Sequence, residues 1–102
     1  MIERKSDLFA LLSKSEEELR RFGVRRWGVF GSFANEQPNP GSDVDILVEF
    51  ERGQKSFDNF MHLATFLEQQ LGRPVELVTR ESLSPHIGPH ILREVEYASS
   101  SS

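Results

Sequence analysis

The sequence describes one small acidic domain. The chain has 102 residues, with 16 Asp or Glu against 12 Lys or Arg and a formal net charge of −4. This length leaves no room for a second domain, and a hydrophobic share of 37% excludes a disordered or fibrous chain. Because cysteine is absent, disulfides, thiolate zinc sites and cysteine nucleophiles are excluded too.

Charge and the N-terminal residues bear on location and partners. The start of the chain is charged and lacks a long apolar run, so we expect a cytoplasmic protein with neither a signal peptide nor a membrane span. The acidic balance argues against direct binding of nucleic acid through bulk charge. Six acidic residues against two basic ones lie within residues 31–60, so the acidity belongs mainly to the middle of the chain.

The first half of the chain mixes helical and extended patterns. In order, we predict two helices within 7–22, a strand over 24–30, a turn at Gly31-Ser32, a short helix over 34–37, a loop over 38–41 and a strand over 44–50. The helical period slips near Ser13, and the capping-box pattern of Ser15 and Glu18 predicts where the second helix starts.

The second half begins with a long amphipathic pattern. In order, we predict a helix over 57–71 ended by Gly72, a strand over 74–79, a helical start at Ser84-Pro85 interrupted at Gly88-Pro89, and a last helix over 90–97. Residues 98–102, Ala followed by four Ser, are expected to form a disordered tail.

These elements predict a single α/β (α+β) domain over residues 1–97. Its small mixed sheet would have about three strands, with helices packed mainly on one face. The connection between the first two strands is long enough for either parallel or antiparallel pairing, so the sequence leaves that choice open.

Three features carry chemistry, and the first is the Gly31-Ser32 turn. It follows a predicted strand directly, and backbone N–H groups in such a turn can hold a phosphate when a helix follows. The residues around it do not match the Gly-x-Gly-x-x-Gly spacing of a dinucleotide-binding fold. On its own the dipeptide fits a plain tight turn better than a phosphate site.

The second feature is the pair Asp43 and Asp45 at the start of a predicted strand. Alternate strand residues point the same way, so the two carboxylates lie side by side. Such like charges raise each other's pKa unless a cation lies between them, and Mg²⁺ takes carboxylates together with substrate phosphates. Taken alone, the pair is better explained as solvent-exposed aspartates at the end of a loop.

The third feature is Glu76, a single acid in the short apolar strand 74–79. Charged residues are depleted in strands, so this is either a wet edge strand or a third carboxylate beside the aspartates. Ten residues separate Ser32 from Asp43, and an apolar run follows Asp45. A phosphate turn on one strand and a metal pair on the next would hold a triphosphate and its metal together.

At these residues the sequence resembles the minimal nucleotidyltransferase (MNT) family of the DNA polymerase β superfamily. The resemblance covers about residues 6–97 and is carried by Gly-Ser-Phe-Ala at 31–34, Gly-Ser-Asp-Val-Asp-Ile-Leu-Val-Glu-Phe at 41–50 and Gly-Arg-Pro-Val-Glu-Leu-Val-Thr at 72–79. It implies the polymerase β-like nucleotidyltransferase fold and transfer of AMP from ATP to an acceptor hydroxyl, with release of pyrophosphate.

The resemblance also implies residue roles and a partner. By position it assigns the triphosphate to Gly31, Ser32 and Ser42, and it assigns a two-metal Mg²⁺ site and catalysis to Asp43, Asp45 and Glu76. Minimal members are commonly antitoxins that add AMP to a tyrosine of a HEPN-domain RNase toxin. A hetero-oligomer with such a toxin is therefore implied.

Two departures from the family pattern bear on activity. Glu76 stands where the family usually has Asp, and misplacement of a carboxylate by about an ångström can cost about a hundredfold in rate. Asn35-Glu36-Gln37 stands where the family has Arg-Gly-Glu, and Arg80 is a candidate substitute for that Arg.

The alternative function is a catalytically weak binding module that neutralises its partner by stoichiometric occlusion. A stand-alone transferase for a small hydroxylated substrate is a third reading, which the short chain disfavours.

Overall fold

The computed structural model describes residues 2, 4–35, 37, 41 and 43–98, and it contains one four-stranded sheet in the order β3-β2-β1-β4. The elements in chain order are α1 (Lys5–Lys14), α2 (Glu16–Arg21), β1 (Val24–Phe30), α3 (Gly31–Ala34), β2 (Val44–Phe50), α4 (Phe57–Leu71), β3 (Val75–Thr79), α5 (Gly88–Glu94) and β4 (Glu96–Tyr97), with a turn of 3₁₀ helix at Arg80–Ser82. The predicted mixed α/β class and its three longer strands are confirmed, and β4 is an addition. None of the described helices is both long and apolar enough to cross a membrane.

The register of the strands decides which residues meet across the sheet. β1 and β2 are antiparallel, so Phe30 lies opposite Asp45, and the pairing that the sequence left open is settled. β2 and β3 are parallel, so Asp45 also lies opposite Glu76. The two residues of β4 pair with Gly28 and Val29. The end of β1 and the starts of β2 and β3 therefore meet at one end of the sheet.

One face of the sheet carries the main hydrophobic core. Side chains that alternate along β1 and β2 meet apolar residues of α1, α3 and α4 there; the fully buried members include Leu8, Leu12, Val29, Phe33, Val44, Ile46, Leu63 and Leu67. α4 is delimited as the sequence predicts, because the Ser56 hydroxyl accepts from the Asn59 N–H and Gly72 ends the helix with φ of 67°. The helices thus pack mainly on this face.

The opposite face of the sheet is also partly covered. Phe30 and Leu47 are buried there but lie outside the main core cluster. A Cβ at Gly28 would come within 2.7 Å of Val95 Cγ2 and 3.1 Å of Tyr97 Cδ1. Glycine at this position therefore lets β4 and the residue before it lie directly against β1.

Tertiary pairing changes the predicted elements near the C-terminus. The helix predicted to reach Tyr97 ends at Glu94, because Glu96 and Tyr97 pair with β1 instead. Ala98, which the sequence assigned to the tail, packs against the core and donates its N–H to the Trp27 carbonyl oxygen at 3.1 Å. Residues 99–102 lie outside the described residues, so the tail prediction stays untested there.

Two helix starts and one predicted cap within the chain also differ from the predictions. The short helix α3 begins at Gly31, three residues before the predicted start, since a φ of 72° turns the chain directly out of β1. Ser15 separates α1 from α2 as predicted, but its hydroxyl donates back to the Leu11 carbonyl oxygen at 3.3 Å and does not cap α2. The helical start predicted at Ser84 is a turn, and α5 begins at Gly88.

Candidate active site

The candidate active site lies where β1 ends and α3 begins. Gly31 has a φ of 72°, and a Cβ at this position would overlap Oδ2 of Asp45. The Asp45 carboxylate thus lies directly against the Gly31 backbone, an approach that only glycine permits. Ser32 follows in α3 and is partly buried. The structure therefore brings the predicted phosphate turn against one member of the predicted metal pair.

Asp45 and Glu76 form a carboxyl pair across β2 and β3. They are partners in the parallel register, and their side chains share a hydrogen bond. Burial, followed by the hydrogen bond and charge of Glu76 and the charge of Asp43, raises the pKa of Asp45 to about 7. At pH 7 Asp45 is therefore about half protonated when no cation is bound.

Asp43 lies just before β2 and is exposed, yet its charge reaches Asp45. Next to it, the Val44 N–H donates to the Pro74 carbonyl oxygen at 2.9 Å, which joins the starts of β2 and β3. Ser42 lies outside the described residues, so its predicted role in nucleotide binding stays a prediction. The structure gathers the other predicted residues at one end of the sheet.

The donor set at this end fits a hard divalent cation held together with a substrate. Within the part of the chain that the structure describes, no three His, Asp or Glu side chains converge into a self-sufficient metal site. Asp45 and Glu76 supply adjacent carboxylate oxygens, and a cation would offset the burial and the carboxylate repulsion that together raise the pKa of Asp45. Mg²⁺ takes one or two carboxylates and completes its shell with waters and phosphates. The pair fits that mode of binding.

A second carboxylate, Glu49, lies on the same sheet face four residues further along β2. Its side chain is 8% exposed, and it accepts hydrogen bonds from Arg25 Nη2 at 2.7 Å and from the Tyr97 hydroxyl at 3.2 Å. Burial alone would raise the pKa of Glu49, but those hydrogen bonds and the charges of Arg26 and Arg25 outweigh burial and lower the pKa. Glu49 is therefore an ionised structural carboxylate, distinct from the acid pair.

Arg80 lies at the Glu49 end of the sheet. Thr79, the last residue of β3, is the partner of Val48, and Arg80 follows it in the 3₁₀ turn, beyond the end of β3 that is remote from Glu76. The charge of Arg80 acts on the pKa of Tyr97. This placement disfavours Arg80 as the substitute for the arginine that the family carries near the phosphates.

Sequence reasoning missed two constraints on these residues. Gly31 was recognised as a turn residue, but its contact with Asp45 depends on the antiparallel register, which no local pattern specifies. The register of β1 also shifts between Val24 and Arg26, so that Arg25 and Arg26 both lie near Glu49. Two adjacent arginines in a strand were the available signal for that irregularity.

Comparison with known proteins agrees with this geometry. The chain matches the nucleotidyltransferase domain family over residues 12–98. It is 45% identical to the protein adenylyltransferase MntA of Thermococcus cleftensis over 92 residues, which cover 89% of this chain and 92% of that protein.

Solved structures share the fold. A protein assigned as a minimal nucleotidyltransferase superposes with a TM-score of 0.79 at 32% identity, covering 91% of this chain and 94% of that chain. A complex of a tri-AMPylated HEPN toxin with an MNT antitoxin from Shewanella oneidensis gives a TM-score of 0.66 at 20% identity, covering 92% of this chain and 73% of that chain. With the family match extending over most of its length, this chain belongs to the nucleotidyltransferase domain family and is a nucleotidyltransferase.

Proposed function

We propose that this protein is an antitoxin that uses Mg²⁺ and ATP to transfer AMP to a hydroxyl, specifically a tyrosine, of a partner HEPN toxin. The observation that carries the proposal is Asp45, which lies against Gly31 and is paired with Glu76 across β2 and β3. The protein adenylyltransferase activity of the 45% identical relative supports AMP as the transferred group and a protein as the acceptor. The fold shared with the antitoxin of a tri-AMPylated HEPN toxin motivates the choice of partner.

In this proposal the residues divide their roles by position. Gly31, Ser32 and Ser42 bind the triphosphate, and Asp43, Asp45 and Glu76 hold the metal. When bound, Mg²⁺ supplies positive charge to the phosphate oxygens and to the attacking and leaving oxygens of an in-line displacement. The glycine at position 31 leaves room for the backbone and the Asp45 carboxylate to approach the phosphates together.

The proposed reaction exchanges a phosphoanhydride bond of ATP for a phosphoester bond to the acceptor. The acceptor oxygen forms a bond to the α-phosphorus of ATP, the bond from that phosphorus to the bridging oxygen breaks, and pyrophosphate leaves. Glu76 accepts the proton of the acceptor hydroxyl, directly or through water. Glu76 suits this role because it is exposed at the start of β3, whereas Asp45 is partly buried beneath it. No covalent enzyme intermediate is required.

The test is transfer of label from α-labelled ATP to the protein encoded by the neighbouring gene, which the proposal expects to be a HEPN toxin. With Mg²⁺ present, we expect the toxin to become labelled and its tyrosine to carry AMP in a peptide digest. The double variant Asp43→Ala with Asp45→Ala should abolish labelling. Glu51→Gln is the matched control, since Glu51 is an exposed acid just beyond the other end of β2. Labelling that survives the double variant, or that never occurs, would contradict the proposal.

Stoichiometric occlusion is the second candidate. Two observations favour it: Glu76 stands at the usual position of Asp, and Asn35 stands at the usual position of Arg. Under occlusion, the Asp43→Ala with Asp45→Ala variant would still neutralise toxin activity at equimolar ratio without labelling it. Neutralisation that requires both aspartates and ATP excludes this candidate.

A further inference from the structure

A cleft of about 480 Å³ opens at the end of the sheet remote from Asp45. Its polar rim carries Arg20, Arg25 and Arg26, and its apolar floor includes Leu19 and Trp27. Glu16 and Tyr97 also line it, and Glu49 lies against two of the arginines, so three cationic side chains meet two anionic ones. In a chain of net charge −4, this is a local excess of positive charge.

Two of these arginines are held in place by contacts with Glu49 and Tyr97. The register shift in β1 sets Arg25 and Arg26 both beside Glu49, where Arg25 Nη2 lies at 2.7 Å and Arg26 Nε at 3.8 Å from its carboxylate oxygens. The Arg26 guanidinium also stacks over the Tyr97 ring, 3.4 Å from its centroid. Their side chains nevertheless remain 58% and 47% exposed. They therefore offer preorganised donors to an anionic ligand, with little ordering entropy left to lose.

The third arginine, Arg20, has no acidic partner. Across the described ranges it makes no ion pair or hydrogen bond through its side chain, although Glu16 lies one turn before it on α2. The next residue, Arg21, instead pairs with Glu17 and does not line the cleft. The Arg20 guanidinium thus lies beside the apolar floor of the cleft without a partner among the described residues, and it is available to a ligand.

The cleft also runs along a stretch of one edge of β1 that no other strand covers among the described residues. On the side of β1 away from β2, β4 pairs only with Gly28 and Val29, and the Ala98 N–H reaches the Trp27 carbonyl oxygen. No described strand covers Val24 to Arg26 on that side. An extended peptide can pair with such an edge through its main chain while alternate side chains point into the cleft.

We propose that this cleft binds a short, extended acidic segment of the partner protein, an inference that rests on the proposed function for the existence of a protein partner. Carboxylates of the segment pair with the three arginines, and its apolar side chains cover Leu19 and Trp27. A nucleic acid fits less well. A polyanion longer than the cleft would meet the acidic first turn of α2, Glu16 to Glu18, and the excess negative charge of the rest of the chain.

The proposal is tested by titrating ¹⁵N-labelled protein with a short peptide of alternating Glu and Val. We expect amide shifts at Val24 to Trp27 and at the Trp27 indole. Arg20→Glu should weaken peptide binding roughly tenfold, the size expected for loss of one charge-assisted contact. The matched control is Arg21→Glu, which makes the same charge change on the neighbouring, cleft-remote residue and should alter affinity by less than about twofold.

Three outcomes would overturn the proposal: no shifts at the cleft, equal weakening by Arg20→Glu and Arg21→Glu, or stronger binding of a single-stranded oligonucleotide than of the peptide at the same residues. Arg20→Gln gives a second variant should charge reversal disturb α2. Asp45→Asn should bind the peptide as the wild type does. Peptide binding without AMP transfer would reject the proposed function while leaving this cleft in place, and transfer without peptide binding would do the reverse.

Discussion

Asp45 and Glu49 lie on the same face of the same strand, yet the fold treats their charges in opposite ways. The more buried residue, Glu49, has the lowered pKa, and the less buried Asp45 has the raised one. Burial raises the pKa of both groups, so their partners decide the difference. Asp45 faces Glu76, whereas Glu49 faces Arg25 and Arg26.

The contrast separates the carboxylate proposed to be functional from a structural one. The charge of Glu49 is balanced within the protein, so this end of the sheet is stable as it stands. The charge at Asp45 has no cationic partner among the described residues and is compounded by Asp43 and Glu76. A site left electrostatically incomplete by its own chain is one that a bound cation and nucleotide would complete.

The strongest test of the contrast between Asp45 and Glu49 is to neutralise each carboxylate in turn. Asp45→Asn should weaken Mg²⁺-dependent ATP binding by about 10- to 100-fold, because a proposed metal ligand is lost. Glu49→Gln should leave ATP binding unchanged and lower the free energy of unfolding, because the hydrogen-bonded charge pair with Arg25 is broken. Calorimetric titration and urea unfolding of both variants give the two readouts. Equal loss of ATP binding in both would remove the distinction.

A second prediction concerns Glu76, the partner of Asp45. Glu76→Asp restores the side chain that the family usually carries and should raise the rate of AMP transfer by about tenfold or more, since an ångström of misplacement can cost about a hundredfold. Single-turnover labelling measures the rate. A slower variant would mean that the longer carboxylate of Glu76 is the one matched to this site.

The third prediction concerns the glycine against which Asp45 lies. Gly31→Ala should cost about 2–3 kcal/mol of unfolding free energy. The alanine would have to adopt a positive φ, and its Cβ would also overlap the Asp45 carboxylate. Gly53→Ala is the matched control, because Gly53 has a φ of 82° with nothing within 4 Å of its Cβ position, and it should cost about 1 kcal/mol. Equal losses would show that the Asp45 contact contributes no strain.

The smallest expected effect is the pH dependence of stability in metal-free buffer. The pKa of Asp45 rises from 3.8 to about 7 on folding, so the folded state binds the extra proton, and stability falls as pH rises between those values. The lowered pKa of Glu49 acts oppositely, and its contribution is lost as pH falls below its unfolded value of 4.5. Asp45→Asn should reduce the change in unfolding free energy between pH 3.8 and about 7 by about 1 kcal/mol. Glu49→Gln should reduce the change that occurs below pH 4.5. Urea unfolding at pH 3 to 8 measures both slopes, and a wild-type curve without the decline toward pH 7 would contradict the first.

Several parts of the fold could be predicted because their signals are local. The apolar period of α4 with Ser56 and Gly72 at its ends, and the alternation of β2, are written in adjacent residues. β4 could not be predicted, since a two-residue strand has no period and forms only because Gly28 lets it approach β1. Arg25 and Arg26 could not be separated from a solvated strand edge until the register placed Glu49 beside them.

The net charge of −4 shows the same division between local and long-range information. The sequence by itself determined the family motif, the residues that carry it and the concentration of acids in the middle of the chain. Only the tertiary structure decided which of those acids are neutralised, because a pKa depends on what lies within a few ångströms and strand register is a long-range property. That register set Asp45 against Glu76 and Gly31, and set Glu49 among arginines.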